Sequence, residues 1–514
     1  MGGRVHDADM LFAELATTSS AVATTRSRLA KRALLVDLLR RTPPEDVGIV
    51  SRYLGGQLRQ RRTGLGWRSM ASMPEPAREP SLTVAGVDDA FEAMSRMAGA
   101  GSGTARTAAA RELFAAATPD EQRLLRGLVT GELRQGSLDA LLLDAVAEAA
   151  GVSPDAVRRA AMLAGDTEPV AVAALTQPDP AAALAAFTLV VGRPVRPMLA
   201  HSAPDVDAAW SSLSPGPVVV DSKLDGIRIQ VHRRGSEVAV FTRSLDDITS
   251  RVPEIVAAVQ RMPATDLVLD GEALALGPDG RPRPFQETAS RSATRDAEVA
   301  AAVTLTPFFF DCLHVDGADL LDAPLLRRLE ALDAVAGSSV VERLVTSDPA
   351  AARDYVHAAV VAGQEGVVVK AADAPYEAGR RGAGWIKVKP RNTLDLVVLA
   401  VERGSGRRQG LLSNIHLGAR DGDGFVMLGK TFKGMTDQML AWQTERFTEL
   451  SVADDGWVVT LRPEQVVEIA FDGLQRSSRY PGGLALRFAR VVRYRDDKTA
   501  AEADTIETVR TLAG

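Results

Sequence analysis

The spacing of apolar positions changes twice along the chain. Up to about residue 195, alanines, leucines and valines recur at helical spacing with arginines between them, and no strand pattern competes. Helix starts are marked by Thr42-Pro43-Pro44-Glu45 and Thr118-Pro119-Asp120-Glu121, which read as capping boxes with proline in the first turn, and by Ser153-Pro154-Asp155. Connections between helices are expected over 69–81, which is rich in proline, and at Gly101-Ser102-Gly103. From about 196 to 390 short apolar or alternating runs take over, at 267–276, 306–314, 366–370 and 385–389, with helical stretches near 252–261 and 324–335. This mixture predicts an α+β domain. Beyond Pro390, the apolar run 395–401 and turns such as Asp421-Gly422-Asp423-Gly424 predict a small antiparallel barrel.

Length and composition narrow the class. The chain has 514 residues, and domains of roughly 100 to 200 residues would make about three of it. Apolar residues are 46% of the total, enough for each domain to have a core. The formal charge of -6 excludes indiscriminate nucleic-acid coating, so any contact with DNA or RNA must come from local basic patches. The single cysteine, Cys312, lies in an apolar run, which predicts a buried structural thiol and excludes a multi-thiolate zinc site. There is no signal-peptide core and no run of about 18 apolar residues. A cytoplasmic protein of a reducing compartment, with no membrane contact, is therefore expected.

Candidate chemistry centres on Lys223-Leu224-Asp225-Gly226-Ile227-Arg228, placed between an apolar run and an alternating one. A lysine on such a turn, flanked by acids and a glycine that lets backbone approach a ligand, suits a nucleophile attacking phosphorus; a charged hairpin turn is the bland alternative. In Asp270-Gly271-Glu272 the two carboxylates share a strand face in apolar surroundings and need a metal, hydroxyls or other donors as partners. Lys387 and Lys389 share one face of a strand, as a phosphate site or an amphipathic edge would have them. Phe308 and Phe310 share a side of theirs, which suits either core packing or stacking on a base. Two arginine-bearing loops, one with Arg59, Arg61 and Arg62 and one with Arg134, are candidate DNA contacts.

In this order, Lys223-Leu224-Asp225-Gly226-Ile227-Arg228, Asp270-Gly271-Glu272, Phe310-Asp311, Glu365-Gly366, Lys387-Val388-Lys389 and the basic run 487–498 resemble the ATP-dependent DNA ligases, a branch of the covalent nucleotidyltransferases. With Gly131-Glu132-Leu133-Arg134-Gln135-Gly136, the chain is most similar to the actinobacterial type often called ligase B. The resemblance covers nearly the whole chain. It implies a multidomain α + β fold: an all-helical DNA-binding domain over 1–195, an ATP-grasp-like α+β adenylyltransferase domain over 196–390, and an OB-fold β-barrel domain over 391–514.

The implied activity is formation of a lysyl-adenylate from ATP with Mg²⁺ or Mn²⁺. AMP then passes to a 5′-phosphate in nicked double-stranded DNA, and the 3′-hydroxyl seals the break. The resemblance implies a monomer of the bacterial nucleoid serving replication, repair or recombination. Lys223 would carry AMP, Asp221 would accept from the adenine amino group, and Phe310 would stack on the base. Arg228 and Arg243 would contact ribose or phosphate, with Arg381 near the nucleotide. Glu272 would contact ribose and metal, Glu365 metal, and Lys387 and Lys389 the α-phosphate. Arg487, Arg490, Arg493 and Asp497-Lys498 would orient pyrophosphate. Asp221 stands where many members have Glu, and Ser244-Leu245 where many have Asn or Gly.

The alternatives are an RNA ligase, a capping-type guanylyltransferase or a catalytically inactive DNA-binding homologue. The complete Lys223, Glu272, Glu365 and Lys387 set opposes the last, and about 195 preceding helical residues oppose a capping enzyme. NAD-dependent ligases normally carry a four-cysteine zinc site, which one cysteine cannot build. A clamp that opens to load DNA further predicts flexible connections near 195 and 390.

Overall fold

The computed structural model describes residues 9–60, 63–66, 74–133, 138–294, 303–377, 381–389 and 392–513. Helices between Phe12 and Ala185 pack around one apolar core that includes Phe12, Leu35, Val50, Phe91, Phe114, Leu125 and Val146. The Thr118 capping box forms as expected, Glu121 accepting the Thr118 N–H at 2.7 Å, and Ser153 caps the helix Pro154–Ala164. Thr42 does not cap a following helix. It ends the helix Arg28–Arg41 and donates its hydroxyl to the Leu38 carbonyl at 2.9 Å, so that hydroxyl is spent on the preceding helix. The next helix starts only at Val47, after a turn containing both prolines. Ser102-Gly103 opens the helix Ser102–Ala116 and is not a connection; Gly101, at φ +81°, makes the turn into it.

The central region has two sheets. One contains, in spatial order, β1 (Leu199–Ala203), β10 (Arg381–Val388), β9 (Val367–Ala371), β2 (Val218–Ser222) and β8 (Arg343–Thr346). The other contains β4 (Glu237–Thr242), β3 (Ile227–Arg234), β5 (Asp266–Ala275), β6 (Leu305–Val315) and β7 (Ala318–Asp319). Helices Val206–Ser212 and Pro349–Val361 cover the first sheet, while Pro253–Gln260 and Leu325–Ala336 cover the second. Because β2 and β3 belong to different sheets, 223–226 is a crossing between sheets and not a hairpin turn. Gly226 is needed there: a Cβ would lie 2.4 Å from the Ala273 carbonyl oxygen.

Beyond the central region, β11 (Asn392–Arg403) is the axis of a seven-stranded antiparallel sheet. It pairs with β12 (Leu412–Asp421) along one edge. Along the other it pairs with β15 (Val458–Leu461) and β16 (Val466–Phe471) at successive positions. β13 (Gly424–Thr431), β14 (Ser451–Asp454) and β19 (Arg490–Tyr494) extend these pairs. The hairpin of β17 (Gly473–Arg476) and β18 (Leu484–Arg487) stands apart. The helix Asp437–Glu449 packs on the sheet through Leu440 and Phe447.

The connection near 195 is anchored on both sides. Gln230 of β3 pairs its side-chain amide with the backbone of Val195, accepting from N–H at 2.8 Å and donating to C=O at 3.1 Å. His232 Nδ1 accepts the Gly192 N–H at 3.0 Å, and its Nε2 meets the Gln230 oxygen at 2.9 Å, which fixes the Nε2–H tautomer. From the other side, Arg196 bonds to the Met162 carbonyl, Asp139 and Thr167 of the helical region. Met162 and Leu163 share a buried cluster with Val195, Met198, Leu313 and Tyr376. The expectation of a loose connection here is not met, because buried polar groups and a joint apolar core hold it.

Candidate active site

A cavity of about 1320 Å³ opens between the two central sheets and the carboxy-terminal region. Lys223 enters it from the crossing after β2. Its own N–H donates to the Gly366 carbonyl at 2.8 Å, and its carbonyl accepts from the Glu365 N–H at 3.0 Å. That reciprocal pair seats Glu365 beside the lysine, with Lys223 Nζ 2.5 Å from Glu365 Oε2. Gly366, at φ +132°, allows it: a Cβ there would lie 2.2 Å from the Val388 carbonyl oxygen.

Lys389 binds the other Glu365 oxygen and lies 3.5 Å from Asp472. Lys387 faces the same cavity, while Ile386 and Val388 are buried on the opposite face. Burial, followed by the charges of Lys389 and Lys223, holds the Lys387 ammonium below its usual pKa. Glu272 also lines the cavity, and its carboxylate makes no hydrogen bond or ion pair among the described residues. Burial pushes its carboxyl up to about 7, against the pull of Lys223 and Arg228. Lys223, Lys387, Lys389, Glu272 and Glu365 thus share one wall of the cavity.

Deeper in the cavity, Asp221 and Lys370 are both buried, with Lys370 Nζ 2.5 Å from Asp221 Oδ2. Apart from this ion pair, neither Asp221 oxygen has a hydrogen-bond partner among the described residues. Phe310 reaches the cavity and meets Trp385 edge to face at 5.8 Å, while Phe309 points into the core. Arg228 gives two donors to Asp270, at 3.0 and 2.6 Å, and one to the Met198 carbonyl at 2.6 Å. Tyr376 donates to Asp270 at 2.7 Å. The partner of the Asp270 carboxylate is therefore protein, and Arg228 braces it. Arg243 stands exposed at the rim without a partner among the described residues. The Ser244-Leu245 departure carries a local cost, since Leu245 sits at φ +66°, where Asn or Gly is unstrained.

The carboxy-terminal region closes one side. Arg487 donates to Asp225 at 2.7 Å and lies 4.8 Å from the Phe285 ring centroid. Arg490, at the cavity, pairs with Asp472 at 3.0 Å. The other basic residues expected here are turned to their own sheet: Arg493 pairs with Glu468 at 2.7 Å, Arg495 with Asp395 and Asp497, and Lys498 with Asp395 at 2.6 Å. Those carboxylates neutralise them, so Arg493 and Asp497-Lys498 are not part of the cavity.

Three family models match in order: DNA ligase N terminus over 68–147, ATP dependent DNA ligase domain over 197–389, and ATP dependent DNA ligase C terminal region over 408–498. A probable DNA ligase of Beutenbergia cavernae is 75% identical over 511 residues, covering 98% of this chain and 100% of that one. The chain belongs to the ATP-dependent DNA ligases. A probable DNA ligase of Kineococcus radiotolerans is 61% identical, covering 98% of this chain and 100% of its own. A solved structure, Pmar-Lig_Pre, matches at TM-score 0.63 and 18% identity over 94% of this chain and 99% of that one, a likeness of fold. This ligase therefore joins DNA at the expense of ATP.

Sequence reasoning missed several residues that the ligase brings to the site. Lys370, Trp385, Asp472 and Phe285 lie far from Lys223 in sequence, and nothing local marks them; only the spacing of Lys370 after Glu365-Gly366 hinted at one. Of the arginines expected on DNA, Arg59 is paired with Asp88 at 2.6 Å and Glu92 at 3.3 Å, so its charge is answered within the helical region. Arg61, Arg62 and Arg134 lie outside the described residues, and Arg381 is placed only as backbone at the start of β10. Cys312 is buried and free, its thiol pushed by burial up to about 12. No helix among the described residues is long and apolar enough to cross a membrane.

Proposed function

We propose that Lys223 is the nucleophile of this ligase: Nζ forms a bond to the α-phosphorus of ATP, the bond to pyrophosphate breaks, and the displaced amine proton goes to solvent. The observation that carries this is the seating of Lys223 Nζ 2.5 Å from Glu365 within a cavity shared with Lys387, Lys389 and Glu272. Lys387 and Lys389 neutralise the α-phosphate, and Asp221 accepts from the adenine amino group beside Phe310. Arg487 and Arg490 guide pyrophosphate, with Arg243 and Arg381 on the nucleotide's outer side. Arg228 acts by bracing Asp270. AMP then passes to the 5′-phosphate of nicked duplex DNA, and the 3′-hydroxyl displaces it.

Glu272 and Glu365 suit Mg²⁺ or Mn²⁺. The Glu272 carboxylate on the cavity wall makes no direct ion pair or hydrogen bond among the described residues, and magnesium commonly takes one or two carboxylates with phosphate oxygens supplying the rest. Among the described residues no group of three or more His, Cys, Asp or Glu would hold a metal by itself, which fits a site completed by substrate. When bound, the cation would offset charge developing on the phosphates. We assign 1–195 to a DNA-binding domain, 196–390 to an ATP-grasp-like adenylyltransferase domain and 391–514 to an OB-fold domain. The axial β11, paired successively with β15 and β16, supports the last. A bacterial monomer acting in the cytoplasm at the nucleoid fits these assignments.

The test is incubation with labelled ATP and Mg²⁺, followed by nicked duplex DNA or nicked RNA. An acid-labile protein adduct is expected, absent in Lys223→Ala, and chased into sealed DNA. A strong adduct with GTP and none with ATP, or an intact adduct in Lys223→Ala, would overturn the assignment.

A further inference from the structure

The cavity wall beside Phe310 holds a buried ion pair whose lysine, Lys370, none of the roles above employs. Lys370 is 1% exposed and Asp221 3%. Lys370 Nζ touches Asp221 Oδ2 at 2.5 Å and the Phe310 carbonyl at 3.3 Å, and lies 4.2 Å from the centroid of the Trp385 ring and 4.8 Å from that of Phe310. Lys370 sits on β9 directly beside β2, which carries Asp221. The other charged groups facing Asp221 are committed elsewhere. Arg343 of β8 is held by Asp333, and Asp311 of β6 is matched by Arg328 at 2.7 and 3.1 Å. Tyr355, from the helix Pro349–Val361, bonds to Ser222 at 2.9 Å. Arg343, opposite Asp221 on β8, adds a weaker charge and keeps one buried guanidinium nitrogen unpartnered, so Lys370 is the cation in direct contact with Asp221 among the described residues. Burial pushes the Asp221 carboxyl upward, and the charge of Lys370 is the largest influence pulling it back.

An ionised carboxylate can only accept hydrogen bonds, whereas a protonated one also donates. An acceptor-only group rewards a purine with a 6-amino group and opposes one with a 6-oxo group, leaving two acceptors face to face. We infer that Lys370 is the positioning residue for base selection, holding Asp221 as an acceptor-only carboxylate so that the pocket admits 6-aminopurine and rejects 6-oxopurine nucleotides. This rests on the reading that Asp221 faces the base. With Lys370 replaced by an uncharged side chain, burial pushes the carboxyl further toward its protonated form, which can donate to a 6-oxo oxygen.

The experiment measures the ratio of kcat/KM for labelling Lys223 by ATP and by ITP, in the full chain with Mg²⁺. In Lys370→Met the ATP/ITP ratio is expected to fall by at least about tenfold, chiefly through a gain with ITP. General damage to the site would lower both nucleotides and leave the ratio standing. Lys370→Gln, a milder loss of the charge, should move the ratio the same way and serves if the methionine variant does not fold. Asp221→Asn provides the separation. If it collapses the ratio while both Lys370 variants stay within twofold of the parent, Lys370 has no such role and Asp221 still reads the base. If none of the three variants moves the ratio, both assignments fall.

Discussion

The two boundaries of the central region are built differently. At the first, a glutamine and a histidine at 3% and 1% exposure hold the backbone of Gly192 and Val195, and apolar side chains from both sides make one cluster. At the second, the contacts include partly exposed ion pairs, Arg487 with Asp225 and Lys389 with Asp472, and Arg487 over the Phe285 ring. Buried polar groups are costly to leave unpaired, whereas exposed ion pairs contribute little to stability and are screened by salt. The helical and central regions should therefore move as one body, and the carboxy-terminal region should be the part that swings. A pairing that is weak in free energy can still act in catalysis, because Arg487 rests on the acid two residues after Lys223.

The largest expected effect is at the first boundary. Gln230→Ala leaves the Val195 N–H and C=O and the His232 Nε2–H without partners, and should cost about 3 kcal/mol in chemical denaturation. A loss under about 1 kcal/mol would mean that the apolar cluster alone holds this boundary. Acid should come next. Burial lowers the His232 pKa from its ordinary value to about 3. The unfolded chain therefore takes up a proton below about pH 6.5 while the folded one does not, and stability falls as pH drops. Between pH 7 and pH 5 this group should account for about 2 kcal/mol of lost stability. His232→Gln should flatten that part of the pH profile, and an unchanged profile would remove His232 from the account.

Arg487→Ala, at the second boundary, should change stability by less than about 1 kcal/mol. It should still slow labelling of Lys223 by about tenfold or more, with a smaller loss in sealing a nick that already carries AMP. Equal losses in the two steps would remove the distinction between a boundary that holds and a boundary that acts. A stability loss as large as that of Gln230→Ala would remove it from the other direction.

What could be read in advance follows from range. Lys223 and Glu365 belong to short segments whose neighbours in sequence also build their surroundings, through Gly226 and Gly366 and an apolar strand adjoining each. Strand and helix positions between 252 and 335 were legible for the same reason, since periodicity is local. The role of Arg228 was not legible, because Asp270 lies on the neighbouring strand and takes up its donors. Charge density misled at the end of the chain. Arg493 and Lys498 suggested a phosphate site, but Glu468 and Asp395, tens of residues away, neutralise them.

The sequence by itself determined the chemistry: an amine, carboxylates and paired lysines in the order of a nucleotide-transferring ligase, each on a segment with its own local pattern. Only the tertiary structure decided which charges are spent and which are free. Lys370 became the partner of Asp221 because β9 lies beside β2, and 223–226 became a crossing because β2 and β3 joined different sheets. A side chain's charge is set by its residue type, but its availability depends on the nearest opposite charge and on burial, and both are fixed only when distant strands meet.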